Sequence, residues 1–320
     1  MTASSEHAMA VAESIDQEFY VQSGEAQLYI KVRGEDVNHP VLLYLHGGPG
    51  ETFGPLVFQG YAGPALEKHF VVAYLHQRNT CMSPEAPLET LTLSHFITDV
   101  ANTVKFLKAE FKKEKVFLLG HSFGGILGYA YLAQDSKYVE KFVSVAGPLS
   151  IQSTLDLGYE MVMTMVKEHG TREEIKKMED LGPSPHATFD ELMAWRRIGM
   201  VIQNKLNTGL MQNFDRAKVI AVTGVDQVNP EWQKKSMAVV NAMYDELNTV
   251  NLENKVNDLQ VPMLLLAAEH DIMAPVGSLK EGLKQYGGKK EFFVFENSNH
   301  FMFVDEPDLF ITKVVDFFGN

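Results

Sequence analysis

Residues 116–133 read VFLLGHSFGGILGYAYLA. Val116, Phe117, Leu118 and Leu119 form a short apolar run that stops at Gly120, the pattern of a strand buried on both faces of a parallel sheet. From Ile126 the period changes. Ile126, Leu127, Ala130, Tyr131 and Leu132 recur at helical spacing, so strand must give way to helix within about four residues. Gly120 and Gly124 bracket Ser122 in the pattern G-x-S-x-G, and residues without a Cβ tolerate so sharp a bend. The bend sets the Ser122 hydroxyl at the carboxyl end of a strand and the amino end of a helix. Orphan backbone N–H groups and the helix dipole favour developing negative charge there. Ser122 is therefore a candidate nucleophile. A glycine-rich turn with an incidental serine is the competing reading, which the rest of the chain must decide.

Outward from this stretch, strand-like runs occur at QLYIKV (27–32), VLLYL (41–45), FVVAYL (70–75), KFVSVAG (141–147), VPMLLLAA (261–268) and EFFVFE (291–296). They alternate with loops and helical patterns, which predicts a mostly parallel α/β sheet flanked by helices. The alternation breaks once, between about Pro148 and Val256. The predicted organisation is a core of residues 1–148 and 257–320 with a helical cap, 149–256, inserted between its halves. Nine of the fifteen methionines fall in the cap: Met161, Met163, Met165, Met178, Met193, Met200, Met211, Met237 and Met243. Helix–helix packing accounts for most of them, and the remainder would give a soft surface that adapts to a ligand. Trp195, Arg196, Arg197 and Trp232 share the insertion, which is expected to set specificity. For the two arginines the leading expectation is surface pairing with cap acids.

A chain of 320 residues, 45% hydrophobic and 22% charged, suits one large domain with an insertion. It has no run of about eighteen apolar residues, and its N-terminal stretch MTASSEHAMAVAESIDQ is polar, so neither membrane insertion nor export is expected. A net charge of −13, with no basic cluster beyond pairs such as Lys289-Lys290, argues against a nucleic-acid partner. Cys81, the single cysteine, excludes an internal disulfide and fits a reducing compartment; the cytoplasm is expected.

The strand 41–45 runs directly into His46-Gly47-Gly48-Pro49-Gly50, a loop that exposes backbone N–H groups. Acyl transfer needs two preorganised donors aimed at an oxyanion, and the N–H groups of Gly48 and of Phe123, which follows the serine, could supply them. A serine at its free pKa is a poor nucleophile, so a base and an orienting acid are also required. Glu269-His270-Asp271 follows one late strand and Asn297-Ser298-Asn299-His300 follows the next. The carboxyl ends of parallel strands share one edge, so Ser122, Asp271 and His300 converge there in that chain order. His300 would take the Ser122 proton while Asp271 holds the other ring nitrogen.

Alternatives stand beside each member. Asp271 could cap the following turn, Glu269 could be the acid, and His300 could be a surface-loop histidine; Asp271 is preferred to Glu269 because it lies further past the strand end. His46 and His121 adjoin the glycine-rich turns and read as structural supports. A metal site from Glu269, His270 and Asp271 is disfavoured because adjacent side chains diverge and no H-x-x-x-H or H-E-x-x-H element accompanies them. No G-x-x-x-x-G-K-S/T loop occurs, so neither metal nor nucleotide cofactor is expected.

These motifs together resemble an α/β-hydrolase, and more narrowly the proline iminopeptidase-like family. HGGPG at 46–50 resembles that family's oxyanion-loop signature, GHSFGG at 120–125 its nucleophile elbow, and Asp271 and His300 fall where its acid and base lie. The resemblance implies a helical cap inserted after the sixth core strand, and in the family's aminopeptidases cap glutamates hold the substrate amine. Glu160, Glu168, Glu173, Glu174, Glu191 and Glu231 are among the cap glutamates available here. The family usually carries Asp-Gln-Arg-Gly where this chain has His76-Gln77-Arg78-Asn79, a departure beside the pocket. The expected activity is serine hydrolysis of a small ester or amide, or of a short peptide, through an acyl-enzyme. A proline iminopeptidase-like aminopeptidase leads, ahead of a carboxylesterase or lactonase. A non-catalytic small-molecule receptor on the same fold is the competitor of another class.

Overall fold

Apolar runs in this chain become strands because both faces of the sheet they form are covered. The computed structural model describes residues 13–226 and 229–319; residues 1–12 of the polar N-terminal stretch lie outside the described residues. Strand β1 (Ile15–Ser23) turns at Gly24 into β2 (Ala26–Gly34), and the two pair antiparallel from Ile15 opposite Gly34 to Ser23 opposite Ala26. Then come β3 (Val41–Leu45), α1 (Gly54–Tyr61), α2 (Gly63–Leu66), β4 (Val71–Leu75), α3 (Leu93–Glu110), β5 (Val116–His121), α4 (Phe123–Gln134) and β6 (Val139–Val145). Five helices follow before the next strand: α5 (Ile151–His169), α6 (Arg172–Leu181), α7 (Phe189–Lys205), α8 (Arg216–Thr223) and α9 (Pro230–Asn248). The chain closes with β7 (Met263–Ala268), α10 (Val276–Lys284), β8 (Lys290–Phe295), α11 (Met302–Asp305) and α12 (Pro307–Gly319).

The eight strands lie in the order β1-β2-β4-β3-β5-β6-β7-β8, antiparallel as far as β2/β4 and parallel from there on. Every residue of β3, β4 and β7 is buried, so these strands show no polar alternation. One face carries Leu43, Leu45, Ala73 and Leu75 against Phe96, Val100 and Leu127 of α3 and α4. The other carries Leu42, Tyr44, Val72 and Tyr74 against Phe58, Phe303 and Phe310 of α1, α11 and α12. The Tyr44 and Phe58 rings stack there, 3.7 Å apart. Strand β1 is the element that the apolar runs did not predict: its pattern IDQEFYVQS is largely solvated, as befits an edge strand. Counting it makes β6 the sixth strand, after which the helical insertion begins.

The inserted helices have their own core around Trp195, with Leu155, Val162, Val166, Met178 and Ile202, and Ile272 of the sheet domain joins that cluster. Each helix of the insertion starts on a side-chain cap: Ser150, Thr171, Thr188, Asp215 and Asn229 accept from backbone N–H groups of the first turn. The side-chain amide of Gln203 donates to the His270 carbonyl at 2.6 Å, tying α7 to the loop after β7.

The His76-Gln77-Arg78-Asn79 segment is structural. The Arg78 guanidinium grips Asp99 of α3 through two hydrogen bonds, Nε to Oδ2 at 2.9 Å and Nη2 to Oδ1 at 2.7 Å, with both side chains buried. Asn79 stands at φ +58°, where the family that the sequence resembles usually carries glycine; asparagine tolerates this region better than other side chains. Its amide accepts from Ala86 N–H and donates to the Lys235 carbonyl. Replacing Asp99 by leucine would leave a buried, unpaired guanidinium. The expected loss is about 3–5 kcal/mol in denaturant unfolding, and a loss below about 1 kcal/mol would mean that Arg78 is solvated.

Candidate active site

Ser122 occupies the one-residue gap between β5 and α4 with φ +53° and ψ −116°, a strained conformation for a residue with a Cβ. Its N–H donates to the Val145 carbonyl of β6 at 2.8 Å, which fixes the bend against the sheet. Gly124 permits the bend, since a Cβ there would overlap the Leu45 carbonyl. Phe123 is the first residue of α4, so no helix carbonyl precedes it to take its N–H.

Gly48 sits at φ +122°, and a Cβ would come within 2.6 Å of Gly50 N. The loop is pinned from below by His46, whose Nδ1 donates to the Gly47 carbonyl at 2.8 Å while Nε2 accepts the Gln77 N–H at 3.1 Å. Gln77 returns its side-chain N–H to the His46 carbonyl at 2.7 Å. Burial pushes the His46 pKa down to about 4, so the ring keeps this neutral arrangement.

Asp271, fully buried, accepts from His300 Nδ1 at 2.7 Å through Oδ2 and from the N–H groups of Met273 and Ala274 at 2.8 and 2.9 Å through Oδ1. It caps its turn and holds the histidine at once, on separate oxygens. Glu269 is exposed. His121 Nε2 donates to the His300 carbonyl at 3.0 Å, with ring centroids 4.8 Å apart. Burial, and secondarily the neighbouring His300, holds the His121 pKa well below its ordinary value, so it serves as a neutral support. Asn299 accepts the His300 N–H at 2.8 Å and donates to the Thr208 carbonyl at 2.7 Å.

Ser122, Phe123, Gly48 and His300 line one cavity of about 320 Å³, roofed by residues of α5, α7 and α9. The structure thus brings together all five residues singled out from the sequence, Asp271 standing behind His300. No group of acids, histidines or cysteines arranged to hold a metal ion occurs among the described residues, and no described helix is long and apolar enough to cross a membrane.

The insertion departs from expectation in what it contributes. Trp195 is completely buried in the cap core and Trp232 packs against the sheet domain, so neither lines the cavity. Of the nine cap methionines only Met193 does. None of the six cap glutamates named from the sequence does, nor do Glu179, Glu246 and Glu253: Glu174 closes a capping box with Thr171, Glu191 accepts from Ala187 N–H, and Glu168, Glu173 and Glu231 pair with His169, Lys177 and Lys234. Arg197 pairs at the surface with Asp190, at 3.8 Å, as expected; Arg196 instead lines the cavity.

Glu51 was not singled out by motif. It lines the cavity directly after the HGGPG loop, with Oε2 sealed from solvent and without a hydrogen-bond partner. It is the only charged residue between His46 and Leu66, which is the signal the sequence held. Burial raises its pKa from 4.5 to about 7, against a smaller opposing pull from His300. In the unfolded chain the proton leaves near pH 4.5, whereas the folded chain keeps it to about pH 7. Stability is therefore lost as pH rises across that window. Glu51→Gln should match wild type near pH 4.5 and exceed it at pH 8.5 by about 2–3 kcal/mol in urea unfolding. Equal stability at both pH values would show that the carboxyl is ionised in the folded protein throughout.

Residues 40–307 match the family model described as the alpha/beta hydrolase fold. A probable aminopeptidase, YbaC, of Bacillus subtilis is 24% identical over 298 residues, 90% of this chain and 91% of its own length. A proline iminopeptidase of Levilactobacillus brevis is 24% identical over 307 residues, covering 91% and 92%. Among solved structures, a proline iminopeptidase-related protein from Thermus thermophilus superposes with a TM-score of 0.63 at 18% identity, covering 95% of this chain and 98% of that one.

Proposed function

Because the chain belongs to the α/β-hydrolase fold family, we propose that it is a serine hydrolase that cleaves a small ester or amide through an acyl-enzyme on Ser122. The observation that carries this is the strained Ser122 in one cavity with a histidine whose far nitrogen is held by a buried carboxylate. Ser122 Oγ attacks the substrate carbonyl carbon and His300 Nε2 takes its proton. The oxyanion is met by the N–H groups of Gly48 and Phe123, and the Asp271 carboxylate stabilises the imidazolium. His300 then returns the proton to the leaving group as the tetrahedral centre collapses, and water repeats the sequence on the acyl-enzyme. Residues 149–256 act as the cap that shapes the cavity, and the single buried Cys81 fits a cytoplasmic setting.

Aminopeptidase action is the leading substrate reading, supported by the names of the relatives. A free amine on the acyl residue would then have to meet Glu51, the one carboxyl on the cavity wall, since the cap supplies none. That same lack of cap acids favours a second reading, an esterase or lactonase. Hydrolysis of proline and alanine arylamides, their N-acetylated forms, short-chain p-nitrophenyl esters and a lactone separates the two. Arylamide release lost on acetylation and in Glu51→Gln supports the aminopeptidase; ester or lactone turnover without arylamide release supports the second. Tight ligand binding with no product from any of these would make the protein a receptor.

A further inference from the structure

The cavity receives one cation from the cap, Arg196 of α7, on the turn after Leu192 and Met193, which line it too. Its Nε is sealed from solvent and has no hydrogen-bond partner, and Arg196 enters no ion pair among the described residues. The two groups that act on it electrostatically are both engaged elsewhere. Asp271 is spent on His300 and two backbone N–H groups, and the Tyr244 hydroxyl faces the carbonyls of His186 and Thr188, each at 3.0 Å. The guanidinium lies over the Trp195 ring at 5.5 Å, which supports its plane without neutralising its charge. Burial lowers its pKa to about 10, so it remains a cation at neutral pH. A buried guanidinium nitrogen with no hydrogen-bond partner and no ion pair is unfavourable, and the planar fork of an arginine matches a carboxylate through two parallel hydrogen bonds.

We infer that Arg196 receives a carboxylate of the substrate, so that this hydrolase acts on small esters or amides that carry an anionic end. The inference rests on the serine-hydrolase reading of the same cavity. The carboxylate could belong to the acyl part, as in a dicarboxylic monoester, or to the leaving group, as in the free C-terminus of a dipeptide.

Titration calorimetry on Ser122→Ala separates binding from turnover. Monomethyl succinate against dimethyl succinate tests the acyl side, and alanyl-alanine against its C-terminal amide tests the leaving side. The charged member of one pair should bind about 10- to 100-fold more tightly than the neutral member. Adding Arg196→Met should bring that ratio to about one, and Arg196→Lys, which keeps the charge but loses the fork, should fall between. A ratio near one in both pairs, or a preference that survives Arg196→Met, overturns the inference. So would an Arg196→Met enzyme, with Ser122 intact, whose pH–rate profile moved while its charged-to-neutral ratio of kcat/KM stayed fixed, since Arg196 would then act through Asp271. If the binding ratio holds but the Ser122 enzyme hydrolyses none of these compounds, the serine-hydrolase reading fails and the carboxylate site stands.

Discussion

Ser122→Ala is expected to lower kcat on any good substrate by at least about 10⁴-fold, with KM changed little and the fold intact. In the proposed route Ser122 supplies the covalent step, and what survives its removal is binding and oxyanion stabilisation. Alanine keeps the Cβ, so the strain at φ +53° remains and stability should stay within about 0.5 kcal/mol of wild type. Glycine removes that strain. Ser122→Gly should be equally inactive yet gain about 1 kcal/mol in urea unfolding, because positive φ no longer opposes a Cβ. Loss of activity with a gain of stability would mark the bend as held for the hydroxyl's sake. If Ser122→Ala kept activity within about tenfold, the acyl-enzyme route would be wrong.

Legibility from sequence followed burial. Strands β3, β5 and β7 are covered on both faces, so their apolar runs read without ambiguity, and the G-x-S-x-G turn between β5 and α4 is a local necessity that glycine spacing announces. Strand β1 escaped because an edge strand needs few apolar residues: Phe19 packs on the core while Asp16, Gln17 and Glu18 face solvent. The meeting of Asp271 and His300 was legible from the strand ends they follow, since the parallel sheet does the work of convergence. Long-range choices were not. Nothing in the spacing of HGGPGE says that Glu51 turns inward, and that follows only from how the loop folds over Gly54, whose missing Cβ leaves room for the carboxyl. Arg196 and Arg197 read alike as a basic pair on a helix. Only the packing of Leu192, Trp195, Gly199 and Ile202 as the buried stripe of α7 carries the first inward and leaves the second in water.

Asp271→Asn should cost about 10⁴-fold in kcat while leaving stability within about 1 kcal/mol, and the reason lies in which oxygen does what. Oδ1 accepts the N–H groups of Met273 and Ala274, and this demand can be met only by an acceptor. An asparagine must therefore turn its carbonyl oxygen to that turn and its amide to His300. Facing an N–H donor, His300 Nδ1 becomes the acceptor, and the proton of the neutral ring moves to Nε2. In the proposed mechanism that nitrogen takes the Ser122 proton, so the base would be present, correctly placed and in the wrong tautomer. Asp271→Ala would release the ring from this constraint but remove both the carboxylate charge and the acceptor of the turn, so it should lose activity to a similar extent, about 10⁴-fold, and more stability. The nitrogen-15 shifts of His300 decide between the explanations: in Asp271→Asn the protonated nitrogen should be Nε2 at neutral pH, against Nδ1 in wild type. If both proteins carried the proton on Nδ1, the activity lost would have to come from the missing negative charge alone.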